Sequence, residues 1–134
     1  MQERWNANMK VVIVGGVAGG ATAAARIRRL NEQAEIVVFE RSGYISYANC
    51  GLPYYIGDVI TDPEELTLQT PESFFSRFRI MMKVLHEVTA IYPDRKTVSV
   101  RNLKTGEEFE EGYDKLILSP GAKPTQPKLS GMDV

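Results

Sequence analysis

Two short, nearly continuous apolar runs lie near the start of the chain, at Val11–Val14 and within Glu35–Glu40. Such short runs of β-branched residues are typical of parallel strands that are buried on both faces. Between them, Gly19–Leu30 carries alanines, Ile27 and leucine at helical spacing and predicts a helix that packs closely on a sheet. The pattern therefore predicts a strand, a helix and a second, parallel strand.

The second half of the chain has a different pattern. Thr70 followed by proline and glutamate predicts a helix over Pro71–Phe78, with Phe74, Phe75 and Phe78 on its apolar face. Short alternating runs separated by turn residues then predict five strands. They are Met82–Leu85, Glu87–Tyr92, Thr97–Arg101, Glu108–Glu111 and Lys115–Leu118. We expect these strands to form an antiparallel meander attached to the first layer, and the last strand to be buried.

A glycine cluster joins the first strand to the helix. Glycines let the backbone approach a bound pyrophosphate closely, and free N–H groups at a helix start point at its charge. Glu40 ends the second strand twenty residues after Gly20, where an acidic residue accepts hydrogen bonds from an adenosine ribose. Val17 occupies the middle glycine position of G-x-G-x-x-G, so no close-contact glycine is expected there. The stretch predicts a dinucleotide site.

Size and composition are those of one globular domain. The 134 residues are 43% hydrophobic and 25% charged, with a net charge of −1, so no bulk attraction to nucleic acid or membrane is expected. Met1–Asn8 is polar and is expected to be a disordered leader, with the domain over residues 9–134. The single cysteine, Cys50, excludes an intrachain disulfide and favours a reducing, cytoplasmic compartment. No metal site is predicted.

The cysteine lies in an aromatic-rich stretch flanked by glycines, Gly43–Gly57. A short helix that begins at Asn49 or Cys50 would place the sulfur at the positive end of the helix dipole, which favours the thiolate. A lone cysteine is more often an inert, buried apolar residue. The residues alone leave both interpretations of Cys50 open.

Three stretches together resemble the N-terminal segment of a pyridine nucleotide–disulfide oxidoreductase. They are V-V-I-V-G-G-V-A-G-G-A-T-A-A-A-R-I-R-R-L, S-Y-A-N-C-G-L-P-Y-Y-I-G and Y-D-K-L-I-L-S-P-G-A-K-P, and the resemblance covers Met9–Pro124. The branch that the chain is similar to contains coenzyme A-disulfide reductases, with related NADH oxidases and persulfide reductases. The resemblance implies an α/β, Rossmann-like FAD-binding domain with a central parallel sheet and an attached antiparallel β-meander. It implies only part of such a domain, with the NAD(P)H and dimerisation domains absent.

The resemblance implies FAD as the bound dinucleotide and NAD(P)H as co-substrate of the full-length enzyme. Glu40 would meet the adenosine ribose, and the backbone at Val88 would lie by the adenine. The full set of residues implied to contact FAD is Gly15, Gly16, Val17, Ala18, Gly19, Gly20, Glu40, Arg41, Asn49, Val88, Ser119, Pro120 and Gly121.

The cysteine count narrows the chemistry that the resemblance implies. Glutathione-reductase-type relatives carry two cysteines separated by four residues, and here Tyr55 occupies the partner position. Cys50 would therefore pair with a substrate thiol, or cycle through a sulfenic acid or a persulfide. The residues implied to bind a coenzyme A-type disulfide or persulfide are Thr22, Arg26, Arg29, Ser46 and Asn49. Arg26 and Arg29 would meet the phosphate end, with a solvated helix surface as the alternative.

The function implied is an FAD-dependent, NAD(P)H-using disulfide reductase, present here as a fragment expected to be inactive alone. Full-length relatives are expected to be homodimers. One alternative is a non-catalytic module that binds FAD or another adenine nucleotide with Cys50 idle. Another is an NADH oxidase or peroxidase that cycles Cys50 through a sulfenic acid. A short NAD-dependent dehydrogenase, which would need a Tyr-x-x-x-Lys pair after the βαβ unit, is disfavoured.

Overall fold

The computed structural model describes residues 8–123, 125 and 127–130, so the expected leader lies outside the described residues except for exposed Asn8. The strands are β1 Lys10–Val14, β2 Glu35–Glu40, β3 Ile45–Tyr47, β4 Thr67–Gln69, β5 Met81–Val84, β6 His86–Tyr92, β7 Thr97–Asn102, β8 Glu108–Gly112 and β9 Lys115–Leu118. The α-helices are α1 Ala18–Leu30, α2 Leu52–Ile56 and α3 Pro71–Phe78. Three short 3₁₀ turns lie at Asn49–Gly51, Pro63–Leu66 and Pro93–Arg95.

A four-stranded parallel sheet in the order β5–β2–β1–β9 forms the centre of the molecule. The burial of β1 on both faces is as predicted from its apolar run, since Val12 and Ile13 are 0% exposed. Helix α1 covers one face of the sheet through Ala21, Ala24 and Ile27. This parallel sheet with its crossover helix confirms the Rossmann-like α/β prediction.

The antiparallel meander contains three strands, β6–β7–β8, rather than the five expected. The first and last candidates, β5 and β9, belong to the parallel sheet instead. Leu85, with φ of 54°, turns the chain between β5 and β6, and the N–H of Asp114 donates to the carbonyl of Lys10 as β9 returns beside β1. The meander packs on the sheet face opposite α1, with a core of Val12, Val37, Phe39, Val98 and Val100.

Two expectations about burial are wrong. Leu118 in β9 is 56% exposed, because β9 is an edge strand with only β1 beside it. In α3, Phe74 is 4% exposed but Phe75 is 57% exposed, since successive helical side chains are turned by about 100°. The start of α3 is as predicted, with Thr70 accepting a hydrogen bond from the N–H of Ser73.

Arg28, near the end of α1, connects three segments, and no sequence pattern indicates this role. Its guanidinium donates to the carbonyls of Phe78 at 2.7 Å, Arg79 at 2.9 Å and Glu32 at 2.8 Å. Burial, and then the charge of Arg79, lowers the pKa of this guanidinium. Arg28 thus fixes α3 against α1.

None of the helices in the described part of the chain has both the length and the apolar character needed to span a bilayer.

We expect Arg28→Met to lower the free energy of unfolding by about 2 kcal/mol, because several carbonyls lose a charged donor. Urea unfolding followed by circular dichroism measures the change. The matched control is Arg29→Met, which removes the same charge from an exposed neighbour and should change stability by less than about 0.5 kcal/mol. Equal losses in the two variants would contradict the role given to Arg28.

Candidate dinucleotide and thiol site

The glycine loop between β1 and α1 is shaped by its contacts with the chain that follows β9. Gly15 has φ of 99°, and a Cβ there would overlap the carbonyl oxygen of Ser119. A Cβ at Gly19 would overlap the Ser119 hydroxyl, whereas one at Gly20 would overlap the carbonyl oxygen of Gly15. The lack of a side chain at Gly20 therefore allows the start of α1 to pack closely against the backbone of Gly15, which is one of the roles of glycine in dinucleotide loops.

The N-terminus of α1 is open to an anion. Among the described residues no side chain caps it, and its first turn has no acidic residue. Ala18 and Gly19 are exposed there. The first N–H groups of a helix have no partner within the helix and carry the positive end of its dipole. This arrangement suits a pyrophosphate.

Glu40 is the one buried charged side chain in the described part of the chain, at 7% exposure. Its Oε2 accepts a hydrogen bond from the N–H of Gly16 at 2.7 Å, and its Oε1 accepts one from the N–H of Ser42 at 2.9 Å. The carboxylate therefore binds the glycine loop to the end of β2. Nothing in the sequence pattern pointed to Ser42 as its partner.

A cavity of about 110 Å³ opens beside Glu40. It brings together five of the residues that the resemblance implies to contact FAD, and four further residues complete its wall. The five are Gly15, Glu40, Arg41, Val88 and Pro120, and the four are Val14, Phe39, His86 and Glu87. The β6 residues reach this cavity because the meander covers the adjoining sheet face.

The cysteine segment is connected to the glycine loop through β3. Ser46 has φ of 48°, and its N–H donates to the carbonyl of Gly16 at 3.1 Å. The predicted short helix is present as the 3₁₀ turn Asn49–Gly51, followed by the five-residue α2. Cys50 is a free, exposed cysteine, so the interpretation of Cys50 as a buried apolar residue is wrong.

The remaining predicted residues do not line the cavity beside Glu40. Thr22, Arg26 and Arg29 are exposed at spacings that place them on one side of α1. Asn49 is exposed beside Cys50, Val17 precedes α1, and Gly121 is exposed with φ of 72°. The hydrogen bonds among the described residues join Ser46 to the glycine loop but join none of the α1 side chains to Cys50.

The sequence contains a Tyr-x-x-x-Lys spacing at Tyr92 and Lys96. The two residues flank the 3₁₀ turn between β6 and β7 rather than lying on one helix. Arg95 lies over the Tyr92 ring, with its Cζ 4.2 Å from the ring centroid. Tyr92 is therefore engaged in a hairpin contact away from the glycine loop, and the spacing does not support a dehydrogenase.

The parallel sheet, the open N-terminus of α1 and the buried carboxylate at the end of β2 define a dinucleotide-binding domain of the Rossmann type. Residues 9–134 match the pyridine nucleotide-disulphide oxidoreductase family. The chain belongs to this family, whose members are FAD-dependent enzymes that use NAD(P)H.

Three relatives show where in the family the chain lies. It is 56% identical over 113 residues to a coenzyme A disulfide reductase of Staphylococcus aureus, covering 84% of this chain and 26% of the relative. The crystal structure of reduced Bacillus anthracis CoADR-RHD matches with a TM-score of 0.91 and 53% identity, over 98% of this chain and 23% of that one. A NAD-dependent persulfide reductase from A. fulgidus matches with a TM-score of 0.86 and 36% identity, over 93% and 23% respectively. The chain thus spans about a quarter of the length of these relatives.

The two glycines in the first turn of α1 should respond differently to alanine. Gly20→Ala should lower the free energy of unfolding by at least about 2 kcal/mol, because its Cβ meets backbone. Gly19→Ala should change stability by between zero and a gain of about 1 kcal/mol, because the Ser119 hydroxyl can rotate away. Urea unfolding midpoints compare them, and a Gly20→Ala variant as stable as Gly19→Ala would contradict this packing.

Proposed function

We propose that this chain is the FAD-binding, N-terminal part of a reductase of coenzyme A-type disulfides, with Cys50 as the reacting thiol. The observation that carries the proposal is the exposure of Cys50 on a segment that is hydrogen-bonded, through Ser46, to the glycine loop. The 56% identity to a coenzyme A disulfide reductase supports the substrate class.

The residues present fit the adenosine diphosphate end of FAD. The Glu40 carboxylate lines the cavity and has acceptor capacity for ribose hydroxyls, and the open start of α1 suits the pyrophosphate. A side chain at Gly15 would meet the Ser119 turn that lies over the loop. When bound, FAD supplies the electron pair that NAD(P)H provides and that reduces the disulfide.

The chain's own chemistry is thiol–disulfide exchange at Cys50. The Cys50 thiolate attacks one sulfur of the substrate disulfide, the substrate S–S bond breaks, and a coenzyme A thiolate leaves as the Cys50–S–S–coenzyme A bond forms. Ser46 and Asn49 would orient the substrate near the sulfur. Arg26 and Arg29 would bind its phosphates from the exposed side of α1. Two electrons then restore the Cys50 thiolate and release the second coenzyme A thiolate.

Exchange at Cys50 should be visible without the cofactor. We expect the chain incubated with coenzyme A disulfide to gain one coenzyme A by non-reducing intact-mass spectrometry, and to lose it on addition of dithiothreitol. The Cys50→Ser variant should gain none. A chain that stays unmodified, or that carries only a sulfenic acid after exposure to peroxide, would contradict the disulfide reductase and favour the oxidase or peroxidase.

Arg26 and Arg29 should affect the rate of the exchange reaction only when the substrate carries phosphates. We expect Arg26→Met/Arg29→Met to slow adduct formation from coenzyme A disulfide about tenfold, by loss of charge-assisted contacts to phosphate. Adduct formation from uncharged hydroxyethyl disulfide should be unchanged. The control Arg101→Met/Lys104→Met removes the same charge from the β7–β8 hairpin. Equal slowing in both double variants would show a bulk charge effect and contradict a phosphate site on α1.

The persulfide reductase is the second candidate, supported by the 36% identity of that enzyme to this chain. With coenzyme A persulfide, the Cys50 thiolate would attack the outer sulfur, the substrate S–S bond would break and a coenzyme A thiolate would leave, so that Cys50 carries sulfane sulfur instead of coenzyme A. The same mass measurement, made with coenzyme A persulfide, separates the two by the mass of the adduct.

A further inference from the structure

Glu40 has two hydrogen-bond partners that belong to the chain itself and not to a ligand. Its carboxylate, 7% exposed, accepts from the N–H of Gly16 at 2.7 Å and from the N–H of Ser42 at 2.9 Å. Hydrogen bonds to a buried charge are strong, and losing one leaves that charge poorly solvated. Glu40 therefore holds the glycine loop and the residues after β2 in one arrangement before any ribose is bound.

The backbone of Gly16 is also bonded to the cysteine segment. Its carbonyl accepts the hydrogen bond from the N–H of Ser46 at 3.1 Å. Gly16 also lies against buried Ile45, since a Cβ on Gly16 would be 3.2 Å from Ile45 Cγ2. Ser46 adopts the left-handed backbone conformation, with φ of 48°, which a serine keeps only where its surroundings determine it.

Cys50 lies four residues beyond Ser46, in a turn closed by the bond from the N–H of Gly51 to the carbonyl of Ala48 at 2.9 Å. Ala48 is bonded in turn to the carbonyl of Leu66 at 2.8 Å. Leu66 directly precedes β4, and β4 pairs with β3 to form a two-stranded ribbon. The Ala48–Leu66 hydrogen bond therefore lies within this β3–β4 ribbon and does not connect it to the rest of the molecule. Among the hydrogen bonds of the described residues, the Ser46–Gly16 bond is thus the one that connects this ribbon to the glycine loop, beside the packing of Ile45 on Gly16.

We propose that Glu40 is a positioning residue for the Cys50 thiol, acting through Gly16 and Ser46, in addition to its contact with a ribose. The inference rests on the proposed role of Cys50, but it concerns the chain before cofactor or substrate binds. A glutamine side chain has one acceptor oxygen and one donor group. Because Oε2 accepts from Gly16 and Oε1 from Ser42, the amide of Glu40→Gln would place a donor opposite one of the two N–H groups, and the segment that follows should loosen.

The test compares the FAD-free wild-type chain with Glu40→Gln. We expect the rate at which iodoacetamide alkylates Cys50 to differ about fivefold between the two proteins, because the thiol is already exposed and its reactivity depends on the turn that holds it. Amide hydrogen exchange over residues 42–51 should accelerate by a similar factor, while β7 stays protected. Glu35→Gln is the matched control, since Glu35 lies on the same strand but is exposed and ion-paired with Lys10.

An unchanged alkylation rate in Glu40→Gln would overturn the proposal and leave Glu40 as a ribose contact alone. That result would not affect the coenzyme A adduct, so the two proposals fail separately. If Glu40→Gln does not fold, Glu40→Asp carries the same test, because it keeps the charge but is one methylene too short to reach both amides. Failure of both variants to fold would also overturn the proposal, since the expected effect is confined to residues 42–51.

Discussion

The backbone of Gly16 joins the glycine loop to Glu40 and to the cysteine segment, both of which lie well beyond it in the sequence. Its N–H is held by the carboxylate of Glu40, and its carbonyl accepts from the N–H of Ser46. A side chain would not fit comfortably here, since a Cβ would lie 3.1 Å from Glu40 Cβ. Glu40 and the cysteine segment therefore both contact the glycine loop at the backbone of Gly16.

The parallel sheet explains why these parts meet. The carboxyl ends of β1, β2 and β9 lie at one edge, so the glycine loop, Glu40 and the Ser119 turn leave the sheet side by side, where ligands bind in open α/β sheets. The meander covers the face opposite α1 and brings Val88 to the same edge. The position of the site thus follows from the strand order, and from the packing of α1 on one face of the sheet and of the meander on the other.

Local sequence signals predicted the elements that depend on local chemistry. The glycine loop and the Thr70 cap each have a short, specific pattern, and both are present as expected. Glu40 lies at the end of β2 as its spacing indicates, and its contact with a ribose stays a prediction. Strand partners depend on contacts distant in sequence, so the local patterns of β5 and β9 do not reveal that these strands join the parallel sheet. The Arg28 bonds and the left-handed Ser46 have no periodic signal at all. Exposure of Cys50 could not be read from its residue type, because free cysteine is usually buried.

The most direct measurement is a titration of the chain with FAD, followed by the quenching of flavin fluorescence, in the presence of ADP or FMN. The proposed contacts all lie at the adenosine diphosphate end of the cofactor. FAD should therefore bind, ADP should compete with it, and FMN, which has the flavin but no adenosine, should not. Absence of FAD binding, or displacement of FAD by FMN as readily as by ADP, would contradict the assignment of the glycine loop and Glu40 to this cofactor.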